Sequence, residues 1–238
     1  MTGVAHFAIA LGPAAQTDAL LRGAAIGPRL HTLFLMLVLC GSVYGAVMGS
    51  YGVVLAFDPP LDGPALAAGR GWQVLISASK VPLLLLATFI LALPSFFVLN
   101  TLLGVRADFP RVLRALVAAQ AGLTVVLAAL APYTALWYVS FAGYRPAILF
   151  NGVMFGLASF AGQWHLRRAY RPLIARDARH RVLLRAWLVL YIFVGIQMGW
   201  VLRPFIGEPT TPPQFFRPEA WGNAYVVVAQ MLWDTFAK

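Results

Sequence analysis

Residues 80–100 read KVPLLLLATFILALPSFFVLN. A lysine opens the stretch, two prolines stand twelve positions apart, and leucine, alanine, isoleucine and phenylalanine fill nearly all the rest. In water each proline removes a helix hydrogen bond, and so apolar a run needs a large core to hide in. In a bilayer the run has the right length, because 21 residues at about 1.5 Å each reach about 31 Å, close to the hydrocarbon thickness.

The remaining sequence decides for the bilayer. Of 238 residues, 61% are hydrophobic and 11% charged, against about 25% charged in a soluble domain. Mean hydropathy is +0.77. A chain this short has too much surface to bury that apolar excess in a water-soluble core. The sequence therefore predicts an all-α, polytopic transmembrane helical bundle. Spans are expected near 30–57, 73–103, 112–138, 146–164 and 182–202, with a shorter sixth candidate at 221–237 that carries Gln230 and Asp234. Trp221 and Trp233 near its ends have the character of interface anchors and favour spanning. The helical domain is thus assigned to 30–238. Residues 1–29 are broken by Pro13, Gly23, Gly27 and Pro28 and are assigned to a cytoplasmic segment.

Arginine sorts by connection. Arg22 and Arg29 precede the first span, Arg106, Arg111 and Arg114 separate the second from the third, and Arg167, Arg168, Arg171, Arg176, Arg179, Arg181 and Arg185 separate the fourth from the fifth. Arg70, Lys80, Arg145, Arg203 and Arg217 fall on the other side. The positive-inside rule then puts the N-terminus and the arginine-rich connections in the cytoplasm, and the membrane is read as a bacterial cytoplasmic membrane. The net charge of +10 follows from that topology, and no nucleic-acid partner is expected. Arg167, Arg168, Arg171, Arg176, Arg179 and Arg181 are candidates to hold anionic headgroups on the cytoplasmic face.

Helices in lipid associate through close backbone approach and polar contacts. Gly41, Gly45 and Gly49 recur every fourth residue in the first span, Gly152 and Gly156 in the fourth, and Gly195 and Gly199 in the fifth. All seven are candidate packing positions, within one bundle or at a seam between copies. Neutral polar residues at Asn100, Gln120, Asn151, Gln163 and Gln197 are accounted for by hydrogen bonds between helices.

Lys80 has two placements. If Lys80 lies at the membrane surface, Pro82 falls near the helix start, where a missing amide hydrogen matters least, and Pro94 kinks the middle. If the helix instead begins at Trp72, Lys80 lies about 12 Å inside it and needs a partner or a water-filled cavity. A second candidate segment follows the fifth span. From Gly199 to Asn223, Trp200, Phe205, Phe215 and Phe216 alternate with Pro204, Pro209, Pro212, Pro213 and Pro218, which suits a stiff loop against the bundle. In it, Arg203 and Glu208 are expected to pair with each other or with Lys80. Lys80, Pro82, Pro94, Trp200, Arg203 and Pro204 are the candidate functional residues.

Catalytic motifs are missing. No HExxH, Walker or GxGxxG pattern occurs, the four histidines are scattered, and one cysteine, Cys40, excludes an internal disulfide framework. No metal or cofactor is expected. A cytoplasmic N-terminal segment, at least five closely packed spans, the Lys80–Pro82 element and the missing catalytic set together resemble the bacterial relatives of the Yip1 family over residues 30–202. That resemblance implies a small helical module, without catalysis, acting by interaction in membrane organisation or in the assembly of other membrane components. The segment after residue 202 departs from the pattern. The alternative is a small transporter or channel with a path near the kinked second span, for which Pro82, Pro94 and Pro132 are the pointers.

Overall fold

The computed structural model describes residues 30–54, 64–141, 143–207, 213–216 and 226. Helix α1 (Leu30–Gly49) continues after a one-residue break as the short α2 (Tyr51–Val54). Then come α3 (Pro64–Leu102), a 3-10 turn (Arg106–Asp108), α4 (Phe109–Ser140), α5 (Tyr144–Arg176) and α6 (Arg179–Val201). No strand occurs among the described residues. Five stretches are long and apolar enough to cross a membrane, namely Leu30–Val54, Arg70–Leu102, Arg106–Ser140, Tyr144–Arg176 and Arg179–Val201. The chain is an integral membrane protein built as an all-α helical bundle. Residues 1–29, and all of the sixth candidate 221–237 except Val226, lie outside the described residues.

Several helices overrun the expected spans. α3 has 39 residues and begins nine before the expected 73, so it is about 59 Å long, well beyond the hydrocarbon layer. Pro82 is therefore inside the helix and not at its start. α5 continues to Arg176, twelve residues past the expected end. The arginine-rich connection is thus mostly helix: Arg167, Arg168, Arg171 and Arg176 belong to α5, and Arg179, Arg181 and Arg185 to α6. The physical reason is a buried stripe hidden among the charges. Leu166, Tyr170 and Leu173 continue the series Ala147, Asn151, Met154, Ala158 and Gly162 at helical spacing.

α1 packs on α3 and α4, α4 on α5, and α3 on α6. The core has two halves. At the loop end, Tyr44 and Met48 of α1, Val81 and Leu85 of α3, Leu127 of α4 and Met154 of α5 close around Ile206. At the arginine-rich end α6 takes the place of α1, with Leu183 and Trp187 packing among Phe96, Leu116, Leu166 and Tyr170. Trp187 meets Phe96 edge to face at 5.0 Å and Phe89 at 5.6 Å. The buried residues of α6, His180, Leu183, Leu184 and Trp187, all lie in its first half. Further along, Val189, Ile192, Phe193 and Ile196 are exposed.

The glycine column of α1 permits its contact with α3. A Cβ at Gly45 would lie 2.3 Å from the Ser77 carbonyl oxygen and 2.9 Å from the Ala78 Cα, and one at Gly49 2.8 Å from the Gln73 oxygen. Gly41 faces Pro82 at 3.5 Å, and Gly195 faces the Thr88 methyl at the same distance. Gly152, Gly156 and Gly199 differ: among the described residues nothing would meet a Cβ there within 4 Å.

Candidate functional site

One face of α3 turns three polar side chains toward the segment after α6. Gln73, Ser77 and Lys80 are spaced four and three residues apart, which lines them up on one side of a helix. All three are buried, Lys80 completely. The Lys80 ammonium donates to the Pro204 carbonyl at 2.8 Å and to the Gln214 carbonyl at 3.3 Å, and lies 5.1 Å from the centre of the Phe215 ring. The Ser77 hydroxyl donates to the Phe205 carbonyl. Gln73 donates to Ser77 at 3.0 Å and reaches the Phe205 carbonyl at 3.5 Å. α3 thus grips the backbone of the loop.

Burying an ammonium is costly unless its donors are used, and two carbonyls with an aromatic face supply partners here. Lys80 does not lie at a helix start: it stands sixteen residues inside α3, with the partners that a buried placement requires. The loop must also come close. A Cβ at Gly207 would fall 2.8 Å from the Gln73 Cγ. Next to it the Arg203 guanidinium lies 3.2 Å over the Trp200 ring, and the Arg203–Pro204 peptide is cis. Pro94 lies about 21 Å along α3 from Lys80, at 1.5 Å per residue, and belongs to the other half of the bundle. Glu208, the other expected partner, lies outside the described residues.

A second buried polar group sits beside this one. The Tyr44 hydroxyl donates to Asn151 Oδ1 at 3.0 Å, while Asn151 Nδ2 donates to the Tyr138 hydroxyl at 2.6 Å and to the Ala147 carbonyl at 2.8 Å. Tyr138 in turn reaches the Met48 carbonyl at 3.4 Å. The Asn151 amide is fully engaged, and α1, α4 and α5 are joined through it. Tyr191 similarly ties α6 to α4 by donating to Gln120 at 2.9 Å. Asn100 does not bridge: its amide bonds back to the Phe96 carbonyl of its own helix.

Between these groups lies a cavity of about 480 Å³. Met48 of α1 and Leu84 of α3 line it together with Tyr144, Ile148, Gly152 and Phe155 of α5. The segment Arg203–Ile206 closes its end, held to α5 by the Tyr144 hydroxyl, which donates to the Ile206 carbonyl at 3.3 Å. The open space at Gly152 is this cavity.

The opposite end of the bundle is organised by Asp108. Its carboxylate accepts from Arg111 at 3.0 Å, lies 3.3 Å from the buried His180 ring and 3.9 Å from Arg176. Arg179 donates to the Leu103 carbonyl at 3.0 Å, just before Gly104, whose φ of 73° is the left-handed conformation that favours glycine. Arg167, Arg168, Arg171, Arg176, Arg179 and Arg181 are all exposed. Sequence reasoning passed over Gln73, Ser77, Tyr44, Tyr138 and Asp108. Only the Gln73–Ser77–Lys80 spacing carries a signal for them, a polar stripe on a helix otherwise nearly all apolar.

The chain matches no family model, no curated protein and no solved structure.

Proposed function

We propose that this protein is a non-enzymatic membrane module that works by binding, as an element of membrane organisation or a subunit of a membrane complex. The observation that carries this reading is the fixed loop end. Its most chemically versatile side chain, Lys80, is wholly buried and spends its donors on backbone carbonyls, an arrangement suited to holding a rigid surface. Exposed apolar residues, including Val189, Ile192 and Ile196 of α6, are left for lipid or other spans. The kinship to the Yip1 family's bacterial relatives remains part of this proposal, as do the bacterial inner membrane and the cytoplasmic placement of the arginine-rich end. Purification in mild detergent followed by native mass measurement tests it. The expected result is a species heavier than the 25.9 kDa chain, either a homo-oligomer or a complex with another membrane protein; a lone monomer counts against it.

The cavity favours one second reading, a small transporter or channel with its path beside α3. A Lys80→Cys variant in a Cys40→Ser background separates the two. Reaction with a membrane-impermeant thiol reagent supports the path, and protection supports the closed module.

A further inference from the structure

The outward side of α5 changes character along its length. Leu149, Val153, Leu157, Phe160 and Trp164 are exposed and follow one another at intervals of three or four residues, so they share one helix face. The next two positions of the same series are Arg168 and Arg171, also exposed. Leu166, Tyr170 and Leu173, each two residues from one of these arginines and so on the other side of the helix, are buried against the bundle. Helix rise sets the depth. Arg145, exposed near the start of α5, and Arg168 are separated by about 35 Å of helix at about 1.5 Å per residue. Even tilted by about 20°, that length brackets a hydrocarbon layer of about 30 Å. Arg168 then lies near the level of the phosphates, Arg171 about a turn further out, and Trp164 about a turn below at the interface, where indole rings prefer to lie.

Positive charge at this end falls into two sets. Arg111 donates to Asp108 at 3.0 Å, and Arg176 lies 3.9 Å from the same carboxylate. Arg179 donates to the Leu103 carbonyl at 3.0 Å and lies 4.0 Å from Asp177. These three brace the turn between α3 and α4 and the junction of α5 with α6. Arg168 and Arg171 do not take part: among the described residues no hydrogen bond, ion pair or ring contact engages either of them. α5 itself contains no acidic residue that could serve them.

The structure assigns Arg168 and Arg171 to the headgroup of an anionic phospholipid in the leaflet at the arginine-rich end, its acyl chains lying along the apolar series that ends in Trp164. Residues three apart are neighbours on a helix surface, so the two guanidinium groups can converge on one phosphate through charge-assisted hydrogen bonds. A zwitterionic headgroup carries its own cation beside the phosphate and gains less from them. This assignment goes beyond the binding-module reading and holds equally for a transporter, because it separates the arginines that hold the fold from those that hold a ligand.

The test uses the full chain in nanodiscs of phosphatidylglycerol and phosphatidylcholine in equal amounts, each with a photoactivatable diazirine near the carbonyl end of an acyl chain. Adducts on peptides covering 157–171 are told apart by mass. The expected result is labelling by phosphatidylglycerol about fivefold above phosphatidylcholine, the equivalent of about 1 kcal/mol. Arg168→Gln with Arg171→Gln brings the ratio to about one. Arg176→Gln with Arg179→Gln removes the same charge from the same end, but from side chains already engaged, and leaves the ratio unchanged. If that second pair fails to fold, single changes make the same comparison: Arg171→Gln lowers the ratio about twofold, and Arg176→Gln leaves it unchanged. A ratio that falls equally with either pair overturns the assignment and reduces the arginines to diffuse surface charge. A ratio near one in the unaltered chain also overturns it, and leaves an acidic protein segment as the partner of these arginines.

Discussion

The two ends of the bundle use positive charge in opposite ways. At the arginine-rich end seven arginines, from Arg167 to Arg185, stand in solvent on two helices, and the partners of Arg176 and Arg179 are surface contacts at Asp108, Asp177 and Leu103. At the loop end one lysine is fully buried, and the Pro204 and Gln214 carbonyls both accept from it. The difference shows that the number of charges and the structural weight of a charge are unrelated. Exposed pairs are individually worth about 0–1 kcal/mol. Removing one partner of a buried hydrogen-bonded set strands the others, at about 1–3 kcal/mol for each.

The contrast can be broken first where the loop end is most tightly built. Gly45→Val forces backbone against backbone, since Ser77 and Ala78 lie where the new Cβ must go. A loss of about 3 kcal/mol or more is expected, seen as a thermal midpoint in detergent lower by about 10 °C. Gly152→Ala, made in open space, leaves the midpoint unchanged. Lys80→Met comes next. It keeps an unbranched apolar stem but leaves the Pro204 and Gln214 carbonyls without the lysine's donors, and limited proteolysis between 203 and 216 should speed up about tenfold, or about 1.4 kcal/mol of opening. The smallest effect belongs to the other end. Asp108→Asn should cost about 0.5–1 kcal/mol at low salt, and the deficit should shrink at about 1 M salt, where screening acts within about 3 Å. A larger cost for Asp108 than for Lys80 would reverse the comparison.

Much of this was legible in the residues themselves. The apolar runs announced five spans, because hydrocarbon demands length and composition and little else. Helix ends were less legible, since beyond the hydrocarbon the pattern must be read at helical spacing through a screen of arginines, as with Leu166, Tyr170 and Leu173. The glycines divide in the same way. Gly41, Gly45 and Gly49 face a neighbouring helix, whereas Gly152 and Gly156 repeat the same spacing and face open space, because spacing names a helix side and not what lies opposite it. Lys80 and Pro204 both stood out as residues, yet their bond spans 124 positions and ends on a backbone oxygen. Every residue carries such an oxygen, so no side-chain pattern could mark the acceptor.

That last point bears on how this architecture can vary. An anchor made from main-chain carbonyls is indifferent to the side chains that hang from them. Replacing Gln214 by almost any residue that preserves the local course of the chain leaves Lys80 served, while moving the lysine by one position turns it away from the loop altogether. Drift would therefore erase the wording of the loop long before it released the latch, and distant versions of this protein would share a buried cation and a path of the backbone more than a string of letters.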